Sequence, residues 1–205
     1  MFTRRSIVLL IAIALAAALG GAMVARQMGR NPGVALQGGT YFAEPRSIRD
    51  FRLTDQDGNP FGADRLNGSP SLLFFGFTHC PDVCPTTLAM LTGLERRAPI
   101  PGLRTIFVSV DPDRDDTRLV NQYVRAFSPR MIGLRGSVDQ LEPLMGSLTA
   151  VRAIQATPGG GYSVDHSSTL YLIDGRGRLA AVFTPPFSLA LLESDLKLAA
   201  RNLEQ

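Results

Sequence analysis

Leu72-Leu73-Phe74-Phe75-Gly76-Phe77-Thr78-His79-Cys80-Pro81-Asp82-Val83-Cys84-Pro85 decides the fold. Its first six residues form a continuous apolar run, as expected for a strand covered on both faces. Pro81, Asp82 and Pro85 are turn and helix-start residues. Leu88, Leu91 and Leu94 then fall at helical spacing, which predicts a helix from about Val83 to Arg97. Both cysteines of the chain sit at this strand-to-helix junction. A helix beginning here would place Cys80 and Cys84 on one face, one turn apart. Its free amides and dipole would also lower the thiol pKa values.

The remaining elements alternate outward from this junction. Arg104 to Val110 reads as a strand, Thr117 to Phe127 as a helix, and Met131 to Leu134 as a short strand. Val138 to Leu148 reads as a helix and Thr169 to Ile173 as a strand. The turn Asp174-Gly175-Arg176-Gly177 leads into a hairpin partner, Leu179 to Phe183. Leu189 to Leu203 closes the chain as a helix, and a hairpin around Phe51-Arg52-Leu53 and Asn59-Pro60-Phe61 is expected near the start. A mixed sheet with helices on both sides is the layered α/β solution to this order. The cysteines would lie past the carboxyl end of a central strand, where functional loops gather.

The chain has 205 residues. Residues 1–5 are a short basic start containing Arg4 and Arg5, and 6–25 is an uncharged run followed by Arg26 and Arg30. As a helix, that run would span about 30 Å, enough for a bilayer core. The positive-inside rule favours a cytoplasmic N-terminus by a thin margin. The expectation is a single-pass transmembrane helix in a bacterial inner membrane, with the functional domain in the periplasm. A cleaved signal peptide is the alternative, since Gly20 and Ala22 are small enough for a cleavage site. Residues 26–45 read as a tether, and 46–205 as one compact domain with a real core. A net charge of +3, carried mostly by scattered Arg, gives no basic stripe and argues against nucleic acid.

Two cysteines one turn apart can take a soft metal ion or close into a disulfide. A bridge across one helical turn is geometrically awkward and closes a very short loop. Thiolates select soft ions, copper(I) and zinc among them, and spacing alone does not choose between these. The chain has two histidines to complete such a site, His79 and His166. His79 adjoins Cys80, and adjacent side chains usually diverge, so it is the weaker ligand candidate. His166 lies just before an apolar strand, at the edge where such a sheet places its loops.

The run Phe75 to Pro85, with Val164-Asp165-His166-Ser167 some way downstream, resembles the SCO/SenC family. Val110-Asp111-Pro112-Asp113-Arg114-Asp115 is similar to a second motif of that family. The resemblance runs from about Ile48 to the C-terminus. It implies a thioredoxin-like fold and a membrane-anchored copper protein serving cytochrome c oxidase assembly. By that resemblance Cys80, Cys84 and His166 correspond to the metal ligands, with Cu(I) favoured over Cu(II). Asp82 matches the acidic residue between the cysteines, and Asp111 and Asp115 match acids read mainly as loop caps. Implied partners are the copper-site subunit of the oxidase and an upstream copper chaperone or thiol reductant. The alternative activity is thiol–disulfide oxidoreduction, with Cys80 and Cys84 as the redox-active pair. Two departures are visible: Asp116-Thr117 replaces a threonine and proline, and a glycine within Asp174-Gly175-Arg176-Gly177 stands where many relatives have proline. Thioredoxin-like reductases differ in placing their cysteines two residues apart and a proline in the facing loop.

Overall fold

The computed structural model describes residues 13–23 and 35–203. The chain divides into two compact units, Met1–Val34 and Ala35–Gln205. In the first unit, 13–23 is helical and exposed along its length. Among the described residues, no helix is long and apolar enough to cross a membrane. The rest of the expected span, 6–12 and 24–25, lies outside the described residues, as do 1–5 and the tether up to residue 34.

The second unit is built on β4 (Ser71–Gly76), in which all six residues are buried. β4 pairs in parallel with β5 (Arg104–Ser109), and β5 in parallel with β6 (Ile132–Arg135). On its other edge β4 meets β9 (Leu170–Ile173) antiparallel, followed by β10 (Arg178–Phe183) and β1 (Gly39–Ser47). β2 (Arg52–Asp55) and β3 (Pro60–Gly62) extend the sheet beyond β6, giving the order β1-β10-β9-β4-β5-β6-β2-β3. Helices α1 (Val83–Arg97), α2 (Thr117–Phe127), α3 (Val138–Leu148) and α4 (Leu189–Leu203) flank it. The mixed α/β expectation holds.

Local chemistry explains the helix starts. Asp116 Oδ1 accepts the Leu119 N–H at 2.7 Å, so the departure at Asp116-Thr117 preserves a cap. Ser137 and Gln140 form a reciprocal capping box at the start of α3. The core that fixes the sheet is aromatic: Phe74, Phe75, Phe107 and Phe183 are essentially without exposed surface.

Three expectations need correction. Residues 39–45, read as tether, form most of β1, which pairs with β10 at the sheet edge. Pro45 and a register shift between Tyr41 and Arg46 disguise this strand, since prolines and bulges are tolerated at edges. The helix begins at Val83, so Cys80 precedes it instead of sharing its face with Cys84. The stretch before β9 is not a plain loop: β7 (Arg152–Ala156) and β8 (Tyr162–His166) form a separate antiparallel hairpin.

Candidate metal centre

The chain leaves β4 at Gly76 and reaches α1 through Phe77 to Asp82. Thr78 fixes this passage. Its N–H donates to Asp115 Oδ2 at 3.0 Å, and its hydroxyl donates to Asp115 Oδ1 at 2.6 Å. Ser109 at the end of β5 also donates to Asp115 Oδ2, at 2.5 Å. Asp115 is wholly buried, and these three donors satisfy its carboxylate. An acid matched to the second motif therefore holds the cysteine loop in place.

Cys84 is buried in the first turn of α1 and Cys80 is half-buried ahead of it. Both are free thiols, and the Cys84 N–H points at Cys80 Sγ from 3.4 Å. Of the pair, Cys80 is the more accessible and Cys84 the enclosed one. Gly76 makes room for the buried sulfur: a Cβ there would stand 2.9 Å from Cys84 Sγ. Burial pushes the Cys84 thiol well above its usual pKa, and its hydrogen bond with Cys80 adds to the rise. The lowering expected from the helix terminus does not prevail at Cys84.

His166 closes the site from the last position of β8. Its Nε2 lies 3.4 Å from Cys84 Sγ, and its Nδ1 lies 3.1 Å from the Ser167 carbonyl. A carbonyl only accepts, so Nδ1 carries the proton and Nε2 presents its lone pair to the thiol. Burial lowers the His166 pKa, against smaller opposing effects of the Ser167 carbonyl and Asp165, and so favours the neutral ligand form. Phe74 and Phe77 set the ring plane by edge contacts at centroid separations of 6.0 Å and 5.7 Å.

Among the described residues, Cys80, Cys84 and His166 form the group able to hold a metal ion, with ligand atoms all within 4.8 Å of one another. Two soft sulfurs and one imidazole nitrogen fit copper(I) by donor chemistry. The fixed Nδ1–H is the orienting contact that metal-binding imidazoles characteristically make. His79 does not join them. Its Nδ1 lies 3.0 Å from Thr78 Oγ1 and 3.7 Å from Asp115 Oδ1. Asp82 is exposed, and its carboxylate accepts from the Thr86 hydroxyl at 3.4 Å. Asp111 is buried and accepts from Arg114 Nε and from the Tyr162 hydroxyl at 2.8 Å. The loop-cap reading of Asp111 and Asp115 is thus extended to long-range bracing. Sequence reasoning passed over Thr78, Arg114 and Tyr162. Gly76 did carry a signal, because a glycine inside a buried strand marks a close approach by another group.

The SCO1/SenC family matches residues 41–200. The SCO2-like protein of Rickettsia felis is 37% identical over 137 residues, covering 63% of this chain and 65% of its own. The chain thus spans about 65% of the length of that relative. Copper-bound ScoI of Arabidopsis thaliana superposes with a TM-score of 0.72 at 29% identity, over 76% of this chain and 98% of that one. Copper-bound ScoI of Bradyrhizobium japonicum does so at 0.62 and 35% identity, over 77% of this chain and 98% of that one.

Proposed function

The chain belongs to the SCO1/SenC family, and on that premise we propose that it binds Cu(I) through Cys80, Cys84 and His166 and delivers it to the binuclear copper centre of cytochrome c oxidase. The observation carrying this reading is the convergence of two sulfurs and an imidazole lone pair within 4.8 Å. Copper is cargo here, so the residues need to hold it and release it. Cys84 is the enclosed ligand, whereas Cys80 and His166 are both half-buried. Transfer by ligand exchange therefore begins at one of these two half-buried ligands, with Cys84 released last. Each thiol gives up its proton as the ion binds.

Equilibrium Cu(I) competition on the reduced full chain tests this. His166→Ala should weaken binding more than about a hundredfold, beyond the ten- to hundredfold typical of losing a ligand's supporting partner. Unchanged affinity would sink the three-ligand reading. A second reading, thiol–disulfide oxidoreduction, draws support from the half-exposed Cys80 sulfur that receives the Cys84 N–H. In it the Cys80 thiolate attacks a partner disulfide, and Cys84 then resolves the mixed disulfide. The partner leaves as a dithiol, and an external thiol reductant restores the Cys80–Cys84 pair. That activity would survive in His166→Ala.

We also propose that residues 6–25 anchor the chain in the inner membrane with the metal domain in the periplasm. The described part of that run supports this: Ile13, Leu15, Leu19 and Met23 are each more than half exposed, an apolar surface suited to lipid.

A further inference from the structure

His166 rides on a hairpin that pairs with no strand of the eight-stranded sheet among the described residues. Something other than sheet hydrogen bonds must therefore hold the imidazole against Cys84. We propose that Arg114 is a positioning residue for the copper site, clasping this hairpin so that His166 stays seated on the sulfurs.

Arg114 lies in the loop between β5 and α2. Its Nε donates to Asp111 Oδ2 at 2.5 Å, and its Nη1 donates to the Tyr162 carbonyl at 3.0 Å. The guanidinium also lies over the Tyr162 ring, 3.9 Å from its centroid, while the Tyr162 hydroxyl returns to Asp111 Oδ1 at 2.8 Å. Tyr162 opens β8 and His166 ends it. One arginine, one carboxylate and one tyrosine thus close a ring between the body of the domain and the ligand strand. The same guanidinium sits 5.7 Å from the Phe77 ring centroid, and Phe77 makes the edge contact with His166. Arg152 adds a second tie from β7, donating to the Val110 carbonyl at 2.9 Å. That tie is a single bond, whereas the Arg114 fork and stack fix both direction and distance.

This inference rests on the copper reading, and its test separates the two. Cu(I) competition with a chromophoric chelator is run on the reduced full chain, with Arg114→Gln introduced into the parent and into His166→Ala. In the parent, Arg114→Gln should weaken Cu(I) binding about ten- to hundredfold. In His166→Ala the same change should cost less than about threefold, since no imidazole remains to be positioned. Equal losses in both backgrounds, or none in the parent, would overturn the proposal. If Arg114→Gln does not fold, Arg114→Lys takes its place in the same cycle. It keeps the charge, but a point donor cannot bond Asp111 and the Tyr162 carbonyl while stacking on the ring. A parent chain that fails to bind Cu(I) sinks this proposal together with the copper reading, whereas binding without coupling sinks this proposal alone.

Discussion

At the scale of single residues, Gly76 shows how tightly the sulfur is packed. A Cβ there would meet Phe107 Cε2 at 2.7 Å, Cys84 Sγ at 2.9 Å and Phe74 Cε1 at 3.3 Å. All three belong to buried residues with little room to retreat. Gly76→Ala should cost about 1–3 kcal/mol, as overpacking of cores does. Urea denaturation of the reduced chain checks this, with Gly175→Ala as control. Gly175 has nothing within 4 Å of its Cβ position, so its change should stay within about 0.5 kcal/mol. Similar stabilities for the two variants would contradict the packing argument. Cys80, Cys84 and His166 stood out as candidates because the chain has two cysteines and two histidines. The brace from Asp115 to Thr78 was not, because its partners lie 37 residues apart and neither sequence neighbourhood names the other.

At the scale of elements, strands with a buried face were readable and strands without one were not. β4 declares itself through the run Leu72-Leu73-Phe74-Phe75 and β5 through the shorter Ile106-Phe107-Val108, as two-sided burial favours. β7 is mostly exposed and has no alternation to read, and the hairpin turn passes through Gly159-Gly160-Gly161, all at positive φ. Such a segment reads as loop until its partner is known. The same isolation gives a dynamic expectation. A hairpin held by side chains opens more readily than a strand inside the sheet. A ligand bound to its last residue should close it by mass action. Amide exchange in 152–156 and 162–166 should therefore slow at least about tenfold on saturation with Cu(I), while β4 and β5 stay protected throughout. In His166→Ala the copper-dependent slowing should vanish. Hydrogen-exchange mass spectrometry measures both, and equal hairpin exchange with and without Cu(I) would show that His166 is not pulled in by the ion.

At the scale of the whole molecule, the layered order of the domain was legible because strand and helix alternate from β4 to α3, whereas its start at β1 was hidden in an edge strand. The proposed disposition across a membrane rests on other physics. Residues 6–25 carry no charge, and 20 residues of helix reach about 30 Å, the thickness of a hydrocarbon core. Alanine and glycine make the run only modestly apolar, so flanking charge has to decide orientation. Under the proposed anchor, Arg4, Arg5 and the terminal amine stand against Arg26 and Arg30, a narrow excess that favours a cytoplasmic N-terminus. A reporter active only outside the cytoplasm, fused after Gln205, should be active. Replacing Arg4 and Arg5 with Glu should reduce its activity, because the remaining positive charge then lies on the other side of the run. The intact mass should include the apolar run. A mature chain beginning near Met23 would identify that run as a cleaved signal. Reporter activity confined to the cytoplasm would overturn the orientation, and delivery of copper to an oxidase site outside the cytoplasm with it.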